Sequence, residues 1–224
     1  MNDFPFGLVG FDLDGTLVDS VADLTAAVNH ALATIDRAPL AIDAVRPMIG
    51  GGSRVMLQRA LIATGGDERL DDLLPGLVDF YAAHIVDHTR PFPGVVDALD
   101  RLQALGVALA VVTNKREQLS VALLDALGLA DRFACIIGGD TPGLAAIKPD
   151  RAPIDLMLHK CSGSGPAAFV GDSIYDVGAA RAAGVPVALF APNGGNIPGA
   201  DAVFAEYREL LPVLQRIAAT QPAI

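Results

Sequence analysis

The segment Phe11-Asp12-Leu13-Asp14-Gly15-Thr16-Leu17 constrains the fold of this chain more than any other. It follows an apolar run over residues 8–11, which predicts a short buried strand. Two carboxylates therefore leave the end of a strand one residue apart, and a glycine turn follows at once. Two such charges repel each other by about 4 kcal/mol at ~4 Å and an effective dielectric constant of ~20. A divalent cation with oxygen ligands would offset this repulsion, so the pattern indicates a cation site at a sheet edge.

The composition excludes several classes of protein. With 224 residues and 52% hydrophobic content, the chain can form one large domain, or a core with a smaller partner, and is not disordered. The net charge of −10 argues against a nucleic-acid-binding face. No apolar run approaches the length of a membrane span, and the N-terminus lacks the pattern of a signal peptide. Cys135 and Cys161 are too few for a disulfide framework, so we expect reduced thiols in a cytoplasmic protein.

The stretch after the first strand has little strand character. Apolar residues at helical spacing predict helices over residues 21–35, 53–63 and 70–86, the last with a candidate break at Pro75-Gly76. Ser20 precedes the first of these helices and is predicted to be its N-cap. The sequence therefore predicts an all-helical insert after the first strand.

Strands and helices alternate in the remainder of the chain. The patterns predict strands over 107–113, 134–138, 167–171, 185–190 and 202–204, and helices over 95–105, 116–127, 154–161, 175–183 and 206–219. This alternation is typical of an α/β fold with a parallel sheet and right-handed crossovers.

Polar residues follow the predicted strands after the first. Thr113 and Asn114 end one strand, Lys148 lies in the loop after another, and Asp172 ends a third, with Asp176 four residues further on. Hydroxyl, amide and ammonium groups can hold phosphate oxygens, and the acids suit Mg²⁺. A carboxylate nucleophile could form an aspartyl-phosphate while a second carboxylate moves the proton.

These segments resemble, in order, the four motifs of the haloacid dehalogenase-like superfamily. The matching residues are Asp12-Leu13-Asp14-Gly15-Thr16, Thr113, Lys148, and Gly171-Asp172-Ser173 with Asp176. The resemblance implies a Rossmann-like three-layer α/β core with a parallel sheet, formed by residues 1–18 and 90–224. It also implies a small all-helical cap domain over residues 19–89, inserted after the first strand.

Within that superfamily, four segments are most similar to those of bacterial phosphoglycolate phosphatases: residues 12–20, 49–52, 112–115 and 137–140. The similarity implies Mg²⁺-dependent hydrolysis of a small anionic phosphate monoester, with 2-phosphoglycolate as the leading candidate, and no nucleic-acid or membrane partner. Three alternatives stay open: a β-phosphoglucomutase-like phosphomutase, a phosphatase of sugar phosphates or nucleotides, and a non-catalytic phosphoacceptor domain. A monomer and a homodimer are both compatible with the sequence.

The resemblance also implies roles for individual residues of the core. Asp12 would be the nucleophile and a metal ligand. Asp14 would be the general acid and base and would give its backbone carbonyl to the metal. Thr113 and Asn114 would bind the transferring phosphoryl group, and Lys148 would hold both that group and the nucleophile.

The remaining assignments concern the metal and the cap. Asp172 would ligate Mg²⁺, and Asp176 would be a further ligand or a partner of the ligands, unless it only stabilises the first turn of its helix. In the cap, Gly51 belongs to a glycine loop that would close over the substrate, and Arg54 is a candidate partner for a substrate carboxylate. Lys115 is predicted to be an exposed residue at a helix start, with anion binding as the alternative.

Overall fold

The computed structural model describes residues 4–66 and 69–220. In these ranges the strands are β1 (Leu8–Phe11), β2 (Val18–Asp19), β3 (Arg90–Pro91), β4 (Ala108–Val112), β5 (Cys135–Ile137), β6 (Ala167–Gly171), β7 (Val187–Phe190) and β8 (Ala202–Phe204). Six of them form one parallel sheet in the order β5-β4-β1-β6-β7-β8. The predicted parallel α/β core is confirmed.

Helices cover both faces of this sheet. They are α5 (Val95–Ala104), α6 (Glu117–Ala126), α7 (Ala152–Lys160), α8 (Ile174–Ala183) and α9 (Leu210–Thr220). One apolar cluster packs α5, α6 and α9 on one face, and a second packs α7 and α8 on the other. Because the central strands are buried on both faces, they consist of continuous apolar runs rather than alternating ones.

The insert after β1 is helical, as predicted, and has its own core. It contains α1 (Val21–Ala33), α2 (Ile42–Val45), α3 (Gly52–Thr64) and α4 (Leu70–Ala83), which enclose a third apolar cluster. The predicted break at Pro75 is wrong, because α4 continues through it. The sequence patterns did not predict α2, whose four residues are too few to show a helical period. None of the helices in the described ranges is long and apolar enough to cross a membrane.

The two segments that connect the core to the insert, here called the two crossings, lie side by side. They form the antiparallel strand pair β2–β3. Behind it, the buried Asp23 carboxylate accepts hydrogen bonds from the backbone N–H groups of His88 and Thr89 and from the Thr89 hydroxyl, at 2.7–3.0 Å. This two-residue ladder was not predicted, because strands so short carry no alternation pattern. The ladder and Asp23 together hold the base of the insert against the core.

Candidate active site

The carboxyl ends of the three central strands bring the predicted residues together. Asp12 follows β1, Thr113 follows β4 and Asp172 follows β6, and β1 lies between the other two strands. Parallel strands end at the same sheet edge, which is where ligands bind in open α/β folds. Lys148 reaches this edge from the loop after β5 and is 1% exposed.

Lys148 is held by three oxygen atoms. Its Nζ lies 2.8 Å from Asp12 Oδ1 and 2.6 Å from Asp176 Oδ1, and it donates a 2.8 Å hydrogen bond to the Val112 carbonyl. Burial opposes the ammonium charge, but the Asp12 and Asp176 carboxylates raise the pKa of Lys148 above its usual value. The side chain therefore brings a fixed positive charge against the first acid of the opening motif.

Asp12, Asp172 and Asp176 form a compact acidic cluster. Each offers a carboxylate oxygen, and these atoms all lie within 4.8 Å of one another. Burial raises the pKa of Asp12 to about 6 despite the opposing effect of Lys148, and burial and the other two acids raise the pKa of Asp172 well above its usual value. Asp12 Oδ1 has the Lys148 ammonium as its partner. Hard carboxylate oxygens this close together, with raised pKa values at Asp12 and Asp172, fit a divalent cation.

The glycine turn is required for this cluster to form. Gly15 has φ +89°, and a Cβ at this position would lie 2.4 Å from Asp172 Oδ2. Thr16, the next residue, donates a 2.9 Å hydrogen bond from its hydroxyl to Asp172 Oδ1. The first motif therefore shapes and orients the acid of the last motif.

Both oxygens of Asp176 have partners within the protein. Oδ1 faces Lys148, and Oδ2 accepts hydrogen bonds from the backbone N–H (3.0 Å) and hydroxyl (2.5 Å) of Ser173 in a capping box at the start of α8. Asp176 was expected either to bind the metal or to stabilise the first turn of its helix. Its hydrogen bonds favour the role in the helix. Asp176 caps α8 and orients Lys148 beside Asp12.

Asp14 has partners of a different kind. Ser20 donates a 2.6 Å hydrogen bond to Oδ1, and Lys115 Nζ lies 2.6 Å from Oδ2 and 4.5 Å from the ring centroid of Tyr81 on α4. Ser20 is the N-cap residue of α1, as predicted, but its side chain makes no cap hydrogen bond to that helix. The predicted exposure of Lys115 is wrong, because the residue is only 8% exposed. Burial opposes its charge, but the Asp14 carboxylate raises the pKa of Lys115 above its usual value.

Asn114 links three parts of the molecule. Its amide nitrogen donates hydrogen bonds of 2.9 Å to the carbonyls of Gly50 and Lys148, and its amide oxygen accepts one from the backbone N–H of Lys148. The side chain is therefore occupied by backbone partners rather than directed at a phosphoryl group. It fastens the glycine loop of the insert to the loop that carries Lys148.

The structure does not bring the two predicted cap residues into the site. Arg54 lies on an exposed surface, where its guanidinium donates to Asp71 at 2.7 Å. Gly51 packs beside Tyr175 of α8, and a Cβ on it would lie 3.0 Å from the Tyr175 hydroxyl oxygen. The Arg59 guanidinium on α3 donates a 2.9 Å hydrogen bond to that hydroxyl, so Tyr175 of α8 contacts both the glycine loop and α3.

A chamber of about 40 Å³ lies between the core and the insert. Asp12, Asp14, Thr113 and Lys115 contribute its polar wall. The insert and the start of α6 contribute mostly apolar side chains, namely Leu24, Ile49, Met56, Leu77, Val78 and Leu119, together with Tyr81. The chamber is therefore small, with the Asp12 and Asp14 carboxylates in one wall and mostly apolar side chains in the other.

The buried acids give a testable dependence of stability on pH. The pKa of Asp12 is about 6 in the folded protein against 3.8 for the unperturbed group, so the folded state binds the proton more tightly. Without divalent cations, the contribution of Asp12 to the free energy of unfolding should therefore fall as the pH rises from about 4 to about 6. Chemical denaturation in EDTA should show a steeper fall for the wild type than for Asp12→Asn, by about 1–3 kcal/mol in total. Parallel curves for the two proteins would contradict the raised pKa.

Fold and site together define an α/β protein with a helical insert, in which the carboxylates of Asp12 and Asp176 flank the buried Lys148. Residues 9–190 match the family model described as haloacid dehalogenase-like hydrolase. The chain is 41% identical over 193 residues to the phosphoglycolate phosphatase of Caulobacter vibrioides, covering 84% of this chain and 81% of that protein. It is 44% identical over 224 residues to phosphoglycolate phosphatase 1 of Pseudomonas aeruginosa, covering 94% and 80%. The chain belongs to the haloacid dehalogenase-like hydrolase family.

The solved structures agree with this assignment. A predicted phosphoglycolate phosphatase from Haemophilus somnus superposes with a TM-score of 0.84 at 32% sequence identity. The match covers 94% of this chain and 99% of that one, so both the core and the helical insert are shared.

Proposed function

We propose that this protein is a Mg²⁺-dependent phosphatase that hydrolyses 2-phosphoglycolate through an aspartyl-phosphate. The observation that carries the proposal is the placement of Asp12, which is buried against Lys148 and faces the same small chamber as Asp14. The relatives named phosphoglycolate phosphatase, which are more than 40% identical over most of this chain, support this substrate.

Asp12 and Asp14 divide the chemistry between them. A carboxylate oxygen of Asp12 attacks phosphorus, the bond from phosphorus to the bridging oxygen breaks, and Asp14 gives a proton to that oxygen as glycolate leaves. Asp14 then takes a proton from the water that attacks phosphorus. The bond between phosphorus and Asp12 breaks, and inorganic phosphate departs while the Asp12 carboxylate is restored.

Other side chains hold the charges during transfer. Lys148 neutralises Asp12 and the phosphoryl oxygens, and the Thr113 hydroxyl can donate to one of those oxygens at the end of β4. Asp12, Thr113 and Lys148 are buried, so these electrostatic contacts are screened less than contacts at an exposed surface.

Mg²⁺ would be held by the carboxylates of Asp12 and Asp172 and by the backbone carbonyl of Asp14. When bound, it supplies Lewis-acid stabilisation of the charge on the phosphoryl oxygens. The Thr16 hydroxyl and the Gly15 turn position Asp172 as a metal ligand. Asp176 contributes indirectly, because it accepts a hydrogen bond from Lys148 and so positions that side chain beside Asp12.

Phosphate release from a panel of monoesters tests the proposal. The panel contains 2-phosphoglycolate, glucose 6-phosphate, β-glucose 1-phosphate and AMP, each with Mg²⁺ and with EDTA. We expect the highest kcat/KM with 2-phosphoglycolate, a loss of at least about 100-fold in EDTA, and recovery when Mg²⁺ is restored. Isomerisation of the sugar phosphate without phosphate release would instead indicate a phosphomutase, and undiminished turnover in EDTA would refute the metal assignment.

A further inference from the structure

Lys115 is a buried cation that faces the reaction chamber from the core. It lines the chamber together with Asp12, Asp14 and Thr113, and its Nζ lies 2.6 Å from Asp14 Oδ2. Its side chain passes over the ring of Tyr81, which the insert contributes. The mechanism above uses the Asp14 carboxylate but leaves Lys115 without a task.

Tyr81 brings a second unused polar group to the same place. It is 2% exposed and lines the chamber, and its hydroxyl has no hydrogen-bond partner among the residues that the structure describes. A buried hydroxyl without an acceptor is unfavourable, and a ligand oxygen that accepted a hydrogen bond from it would relieve the cost. Lys115 and Tyr81 therefore offer one charged and one neutral donor on opposite sides of the boundary between core and insert.

We propose that Lys115 and Tyr81 determine substrate specificity by binding the carboxylate of the leaving group. This inference rests on the proposed phosphoglycolate phosphatase activity. The substrate's carboxylate is separated from the bridging oxygen by one methylene group, so it must lie close to the Asp14 side chain that protonates that oxygen. Lys115 contacts Asp14, so its ammonium group is positioned to bind the substrate carboxylate.

The other cations near the chamber are less suited to this role. Lys148 is held by Asp12, Asp176 and the Val112 carbonyl. Arg116 also lines the chamber but is an exposed residue, so solvent screens its charge. Among the described residues that line the chamber, Lys115 is the buried cation.

The test compares 2-phosphoglycolate with ethyl phosphate, which has the same carbon skeleton without the carboxylate. The measured quantity is the ratio of kcat/KM for the two esters. We expect the ratio to fall about 100-fold in Lys115→Met and about 5- to 10-fold in Tyr81→Phe. Arg116→Met, which removes the neighbouring exposed cation, should leave the ratio within about threefold of the wild type.

Using a ratio separates specificity from a general effect on Asp14. If Lys115→Met lowers kcat/KM by the same factor for both esters, Lys115 serves Asp14 alone and the inference is overturned. If the wild type prefers 2-phosphoglycolate and Lys115→Met retains that preference, the inference fails while the proposed function stands. A wild type that releases phosphate from both esters equally well would overturn the proposed substrate and the inference together.

A binding measurement covers the case in which Lys115→Met does not fold. Lys115→Gln keeps a donor for Asp14 and removes the positive charge. In the Asp12→Asn background with Mg²⁺, calorimetry should show that adding Lys115→Gln weakens 2-phosphoglycolate binding at least about 30-fold. Ethyl phosphate should bind within about threefold of its original affinity. Equal weakening of both ligands would contradict carboxylate binding by Lys115.

Discussion

Asp12→Asn is expected to lower kcat by at least about 10⁴-fold, with the fold intact. The amide has nearly the same shape as the carboxylate, but it cannot attack phosphorus to form an aspartyl-phosphate. Loss of the buried charge should not unfold the protein, because Lys148 keeps its contacts with Asp176 and the Val112 carbonyl. Steady-state phosphate release and circular dichroism measure the two effects separately.

Two controls make the Asp12 result specific. Asp12→Ala excludes activity regained by deamidation of asparagine. Asp19→Asn changes an acid that lies on β2, and it should leave kcat within about threefold of the wild type. If Asp12→Asn retained near wild-type turnover, Asp12 would not be the nucleophile, and the division of roles between Asp12 and Asp14 would have to be abandoned.

Lys148→Met is expected to damage both stability and activity. Methionine fits a similar volume, but it leaves Asp12 and Asp176 buried near each other with no cation between them. Breaking a buried ion pair in this way costs about 3–5 kcal/mol of the free energy of unfolding, which corresponds to a Tm lower by roughly 10 °C. We expect kcat/KM of the folded fraction to fall by about 10³-fold, because the phosphoryl oxygens also lose this charge.

Lys160→Met is the matched control for Lys148. Lys160 is an exposed lysine at the end of α7, and its removal should change the free energy of unfolding by less than about 1 kcal/mol. Differential scanning calorimetry and phosphate release under saturating Mg²⁺ give both numbers. Equal stability of Lys148→Met and Lys160→Met would show that the buried lysine is not needed to balance the acids.

The part of the site that could be predicted is the part that follows strand topology. Asp12, Thr113 and Asp172 come directly after apolar runs, and a parallel sheet with short connections places such residues at one edge. Lys148 was a candidate because it follows a predicted strand, but its loop carries no local signal, and the resemblance to the haloacid dehalogenase-like superfamily gave it its role. These assignments depend on chain order more than on any particular side-chain packing.

The part that could not be predicted depends on contacts between core and insert. Lys115 is buried because Tyr81, from α4, covers it, and no local pattern connects the two positions. Arg54 was expected to face the substrate, but the helical turn at the start of α3 directs it toward Asp71 on α4. Ser20 occupies the N-cap position of α1, but its hydroxyl donates to Asp14 rather than accepting from the helix, since the turn after β1 brings the two side chains together. Such choices are fixed by tertiary packing, which outweighs local propensity.

The narrow base of the insert has a consequence for how this molecule could be altered. Because β2 and β3 bring the two crossings side by side and Asp23 joins them, the six-stranded sheet takes all its described strand pairs from outside the insert. A different helical segment could in principle be grafted between the same two crossings while Asp12, Lys148 and Asp172 stay where they are. The insert is in this sense an exchangeable unit, and changes in it could alter substrate choice while the residues that act on phosphorus are retained.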